Sequence, residues 1–198
     1  LADSATNISI TGPGIIDGQG DVLALKIDSL FYEGEIDSTN YELKEKRPKV
    51  TIRPQIIEFV NSKNIKVEGI TIKNGASWVQ SYYMCNNLLI DKIRVESDTY
   101  WNNDGVDIID CKNVIITNSF FNSSDDGICI KSYGRERHGS PYCDSIFIEN
   151  CTVRSSASAV KLGTASFGGF KNVTIRNIKV YDTFRSVIAL ESYGNGFL

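Results

Sequence analysis

Apolar side chains along this chain come in short alternating runs, each preceded by an Asn or Ser and followed by a small or polar residue. Six copies read Asn7-Ile8-Ser9-Ile10, Asn64-Ile65-Lys66-Val67, Asn87-Leu88-Leu89-Ile90, Asn113-Val114-Ile115-Ile116, Ser145-Ile146-Phe147-Ile148 and Asn172-Val173-Thr174-Ile175. From residue 64 onward the starts step by 23, 26, 32 and 27 residues. Most copies run into a second short strand, such as Lys92-Ile93-Arg94-Val95 or Cys151-Thr152-Val153. Runs this short, rich in Ile and Val, read as strands throughout and as helix nowhere. Several short strands per turn, at a repeat of this length, predict an all-β right-handed parallel β-helix. The strand period of two turns alternate side chains into and out of each coil. The recurring Asn is expected to stack as a ladder inside the bends and to satisfy backbone groups there.

One segment breaks the rhythm. Residues from about 20 to 55 include Phe31-Tyr32-Glu33-Gly34-Glu35 and the charged run from Glu42 to Lys49, and they read as an inserted loop, either solvated or walling a cleft. The whole of 1–198 reads as one domain. Neither end carries an amphipathic cap for the solenoid, so the sequence reads as a piece of a longer protein.

With 198 residues, 41% of them hydrophobic, the chain can bury a substantial core. No apolar run is long enough to span a membrane, and a net charge of −3 disfavours nucleic acid. The five cysteines form no CxxC pair and His138 is the single histidine, so no metal or other cofactor is expected. The cysteines read as small buried hydrophobes rather than disulfides.

The chemistry lies in two strands that open alike: Asp104-Gly105-Val106-Asp107-Ile108 and Asp126-Gly127-Ile128-Cys129-Ile130. Their offset of 22 residues is one coil, which stacks Asp104 on Asp126 at about 4.8 Å between backbones. Asp125 alternates away from Asp126, so three carboxylates converge on one patch. Stacked like charges repel, and crowding raises the pKa of at least one, leaving an acid and a base at one pH. Inverting cleavage of a glycosidic bond needs such a pair. Turn aspartates that cap each coil, and a calcium cage, are the competing readings.

Asn102-Asn103-Asp104-Gly105 followed by Ser124-Asp125-Asp126-Gly127-Ile128-Cys129-Ile130-Lys131-Ser132 closely resembles glycoside hydrolase family 28, the polygalacturonases and rhamnogalacturonan hydrolases. Asn7 to Gly18 resembles that family's early coil. The resemblance implies that Asp125 is the general acid, that Asp104 and Asp126 position and activate the attacking water, and that Asn102 supports them. Two motifs depart from the family. Its Gly-His-Gly falls on Ala157-Ser158-Ala159, which puts Ser158 in the histidine place. Its Arg-Ile-Lys, the grip on a uronate carboxylate, falls on Ala189-Leu190-Glu191. Lys161 and Glu191 are candidates for a replacement subsite, with Lys161 meeting either a substrate acid or Glu191. Lys131, Arg135 and Arg137 are candidate basic contacts in a loop after the Asp pair. Trp101, with Tyr100, either stacks on a sugar or packs the turn.

The sequence thus points to a glycosidase, monomeric and secreted or periplasmic, that takes a pectin-like or related plant or algal polysaccharide. A polysaccharide lyase and an inactive glycan-binding relative are the alternatives.

Overall fold

The computed structural model describes residues 1–134 and 142–192. Arg135 and Arg137 lie outside the described residues. The strands assemble into three parallel sheets that wind into a β-helix. One sheet has seven strands: Ala2–Asp3, Ile57–Val60, Gln80–Tyr83, Val106–Ile109, Ile128–Ser132, Ser158–Ser166 and Ser186–Leu190. The second stacks the six copies of the repeat, from Thr6–Thr11 to Phe170–Arg176. The third stacks the short strands that follow them, from Ile15–Asp17 to Lys179–Val180. Each coil contributes one strand to each sheet, as the repeat predicts.

The register explains the core. Tyr82, Ile108, Ile130 and Leu162 pair in one inward row, Ile65, Leu88, Val114 and Ile146 in another, and all are buried. Full burial of one such aliphatic side chain contributes roughly 1.5–3 kcal/mol, and the rows repeat that gain coil after coil. All five cysteines are buried and stand as free thiols. Cys85, Cys111, Cys143 and Cys151 direct their sulfurs at backbone carbonyls of the strands.

The asparagine ladder forms, but on the outside. Asn64 Nδ2 donates to Asn7 Oδ1 at 2.9 Å, and Asn87 Nδ2 to Asn64 Oδ1 at 3.0 Å, both exposed. These residues bond to one another rather than to the backbone. They sit at bends with positive φ (Asn7 61°, Asn64 55°, Asn87 58°, Asn113 55°), a conformation Asn tolerates better than other residues with a side chain. The bend's backbone geometry therefore selects the residue, and the ladder follows from it.

The expectation of no helix is also corrected. Gly20–Tyr32 is an α-helix of 13 residues within the insertion. Gly20, Ala24, Ile27 and Phe31 share a helical face. Ala24 is fully buried, and Gly20 lies so close to the neighbouring coil that a Cβ there would clash with the backbone of Gly75 and Ala76. A hairpin of Tyr41–Glu42 and Arg47–Pro48 follows, and Phe31 stacks on Tyr41 at 3.9 Å between ring centroids. The insertion is thus a folded flap seated on the coils, not a solvated loop. Among the described residues no helix is long and apolar enough to cross a membrane.

Candidate active site

The two Asp-Gly openings lie where the seven-stranded sheet begins. Val106 pairs with Ile128, and Ile128 with Val160, so Asp104, Asp126 and Ser158 stack on successive coils. Both glycines are required by close approach: a Cβ on Gly105 would lie 2.5 Å from the Gly127 carbonyl oxygen, and one on Gly127 would lie 2.6 Å from that of Ala159. Past the openings, alternation turns Asp107 and Ile109, Cys129 and Lys131, and Lys161 and Gly163 to the outer face.

That outer face carries a buried network of ions. The Lys131 ammonium bonds Asp104 Oδ2 at 3.0 Å, contacts Asp107 Oδ1 and lies 4.2 Å from the Trp78 ring centroid. Lys131 is therefore a strand residue held by two carboxylates, which corrects its placement in a loop. One coil on, Lys161 bridges Asp126 Oδ2 and Glu191 Oε2, both at 3.1 Å. Thr164 Oγ1 also donates to Glu191, at 3.0 Å. Of the two partners left open for Lys161, the structure places Glu191 beside it and adds Asp126. Ser158 contributes its backbone N–H, which donates to Asp126 Oδ1 at 3.0 Å.

Environment separates the carboxyls. Burial and the neighbouring Asp107 charge push Asp104 well above the ordinary carboxylate range, against the pull of Lys131. Asp107 is also raised by burial, but Lys131 and a hydrogen bond from Asp104 draw it back. Burial opposes charge on Lys131, yet Asp107, Cys129 and Asp104 together hold it above its usual value. Asp125 is raised by burial and then by Asp126, and is lowered by Arg185, Lys131 and Lys161. Its backbone oxygen is pinned by the Ser155 hydroxyl at 2.6 Å, while its carboxylate Oδ2 faces Asn102 Nδ2 at 3.5 Å.

The flap reaches this centre. A cleft of about 420 Å³ is lined by Arg47, Pro48, Arg53, Trp78 and Asn102, with Glu42, Glu45 and Lys49 at its sides. Trp101 is exposed, with the Arg47 guanidinium over its ring at 5.2 Å, and Tyr100 carries Arg53 at 5.4 Å. Asp104, Asp126 and Cys129 are the described group that could ligate a metal. Two lysine ammoniums already bond its carboxylates, which opposes a further cation.

Sequence reasoning missed Asp107, Trp78, Arg47, Arg53 and Arg185. Asp107 was legible: it lies three residues past Asp104, on an outward position of the same strand. Trp78 could have been found one coil before Asp104. The three arginines converge only through tertiary folding, and nothing in their local sequence marks them.

The structure is thus a parallel β-helix with a cluster of carboxylates beside Asn102, which also lines the cleft. The family model for "Glycosyl hydrolases family 28" matches residues 1–187, and the chain belongs to that family. It is 28% identical over 197 residues to a probable polygalacturonase of Vitis vinifera, covering 96% of this chain and 36% of that protein. It is 29% identical over 133 residues to an endo-polygalacturonase of Pectobacterium carotovorum subsp. carotovorum, covering 67% of this chain and 32% of that one. Among solved structures, the family 28 exopolygalacturonase of Yersinia enterocolitica superposes with a TM-score of 0.76 at 20% identity, covering 96% of this chain and 38% of that one. A hyperthermoactive exopolygalacturonase of Thermotoga maritima gives 0.73 at 25% identity, covering 94% and 47%. The chain thus spans about a third of the length of the two curated relatives described.

Proposed function

We propose that the protein is a glycosidase that hydrolyses a pectin-like polysaccharide with inversion, with Asp125 as general acid and Asp126 as general base. The observation that carries this reading is the unequal environment of the three clustered carboxyls, Asp104, Asp125 and Asp126. Asp125 is half-buried, raised toward its neutral form and next to Asn102 of the cleft wall, which suits a proton donor to a leaving oxygen. Asp126 accepts from the Ser158 N–H and the Lys161 ammonium, which orients it to take a proton from water. Asp104, raised by burial and tied to Asp107 through Lys131, holds that water rather than deprotonating it.

The polygalacturonase relatives favour a pectic substrate. Beside the cleaved bond, Ala189 has no guanidinium and the Lys161 ammonium is already shared by Asp126 and Glu191, which favours a neutral sugar there over a galacturonate. We place its action where a pectic polymer is found, outside the cytoplasm in the periplasm or the medium, with the protein working as a monomer. A lyase would use a basic side chain free to take a proton from the sugar ring. Lys131 and Lys161 are instead each held between two carboxylates.

The test is incubation of the full-length protein with homogalacturonan, with rhamnogalacturonan and with neutral pectic side-chain glycans. Release of reducing ends without the absorbance of an unsaturated product, with the first product in the opposite anomeric configuration by NMR, supports the reading. Unsaturated products, or retained configuration, would overturn it.

A further inference from the structure

We infer that the flap aims the proton of Asp125: Arg47 and Arg53 act as positioning residues that fix the Asn102 amide so that only its N–H side faces the acid. This rests on the reading of Asp125 as the acid and adds to it which oxygen carries the proton and what decides that.

Arg47 Nη1 and Arg53 Nη2 both donate to Asn102 Oδ1, at 2.8 and 2.9 Å. A guanidinium has donors and no acceptor, so the amide edge that meets two of them is its oxygen. The NH₂ edge then points to Asp125 Oδ2, at 3.5 Å. Neutral Asp125 has one O–H oxygen and one carbonyl oxygen, and the carbonyl oxygen is the good acceptor. An N–H at Oδ2 therefore leaves the proton on Oδ1. If the amide were turned over, its oxygen would face Asp125 and attract that proton to Oδ2, toward Asn102 and away from a leaving group. The two orientations have nearly the same shape, so packing does not choose between them, whereas two charged donors do.

Arg53 is built for this. It is 3% exposed, and its Nη1 donates to the Ala76 and Trp101 carbonyls at 2.8 Å each, which clamps the turn carrying Asn102. Asn102 stands at φ 57°, so its backbone is set by the same turn. Arg47 is steadied by Glu45 and by the Trp101 ring. Both arginines come from the insertion, which thereby joins the acid's own environment instead of merely walling the cleft.

The experiment uses the full-length protein carrying Arg47→Gln, Arg53→Lys, Asn102→Ala and the double variant of Arg47→Gln with Asn102→Ala. The first readout is titration of the ¹³C-labelled Asp125 carboxyl by NMR, which needs no substrate. The second is the pH profile of kcat on rhamnogalacturonan and homogalacturonan. Arg47→Gln is expected to raise the Asp125 pKa and to lower kcat about tenfold with little change in KM, a fraction of the roughly 10²–10⁴ that general acid catalysis supplies. In the Asn102→Ala background the same change is expected to add little to either readout. Arg53→Lys keeps the charge but loses the fork, and is expected to fall between wild type and Arg47→Gln. Equal, additive effects of Arg47→Gln with and without Asn102 would overturn the inference and leave a purely Coulombic or structural role. If Asp125 titration is coupled through Asn102 but neither glycan is cleaved, the placement holds and the proposed function fails.

Discussion

Two lysines stand one coil apart on the outer face of the same sheet, each between two carboxylates, and they do different work. Lys131 sits between Asp104 and Asp107, with carboxylates only 5% and 0% exposed and Trp78 over the ammonium. Lys161 sits between Asp126 and Glu191, and the Glu191 side chain is 42% exposed. In the closed bridge the second carboxylate is sealed, so Lys131 has two fixed partners and holds Asp104 in place. The open bridge has one partner in water and can exchange it for a substrate group. On the proposed function, the same side-chain chemistry serves stability or substrate according to whether the second carboxylate is sealed or wet.

The largest expected effect comes from breaking the sealed bridge. Lys131→Met leaves Asp104 and Asp107 buried without a cation, and removal of one partner of such a cluster costs about 3–5 kcal/mol. The melting temperature should fall by about 10 °C, read by calorimetry on the full-length protein. A shift of a degree or less would mean that the sealed bridge is not holding the fold. Lys161→Met should spare most of that stability and instead lower kcat on the preferred glycan by roughly tenfold to a hundredfold, because Asp126 loses one of its two fixed donors. Equal losses of melting temperature in the two variants would erase the distinction between the bridges.

A smaller change is expected from Glu191→Gln. It removes the wet carboxylate and frees Lys161, so turnover of homogalacturonan should rise several-fold relative to glycans with a neutral sugar at the cleaved junction. Two like charges about 4 Å apart repel by at most about 4 kcal/mol near a surface, and much of that is already offset by Lys161. An unchanged ratio would show that Glu191 does not face the substrate.

The smallest effect concerns stability and pH. The Asp125 pKa is raised in the folded state by burial and by Asp126, so the folded protein binds that proton more tightly than the unfolded chain. Stability then falls as pH rises from the unfolded carboxylate range, about 4, through the higher folded value. Asp125→Asn should therefore melt slightly higher than wild type at neutral pH, with the difference vanishing in acid. A variant that melts lower at neutral pH would contradict the sign of that shift.

The coils were legible because a solenoid writes its register into the sequence. The 22-residue offset between the Asp-Gly openings predicts the stacking seen in the Gly105 N–H bond to the Asp126 carbonyl at 2.9 Å. The flap was not legible in the same way. Its helix does carry Leu23, Ala24, Ile27, Leu30 and Phe31 at helical spacing, but the charged run that follows reads as loop and hid them. The partners of Lys131 were hidden because its strand looked finished at Ile130, although two more residues continue it. The convergence of Arg47 and Arg53 on Asn102 spans 55 and 49 residues and has no local signature, since an isolated arginine in a charged run looks the same whether solvated or buried. The ladder of asparagines was read correctly as structural but assigned to the wrong side of the bend, because its cause is a left-handed backbone rather than a shortage of hydrogen bonds.

The central claim is that Asp125 donates the proton to the leaving oxygen, and the direct measurement is kcat of Asp125→Asn on the preferred glycan beside its binding affinity and melting curve. The account predicts a loss of at least about a hundredfold in kcat, binding within a few-fold of wild type and no loss of fold. A variant that keeps most of its turnover with its fold intact would show that another group supplies the proton.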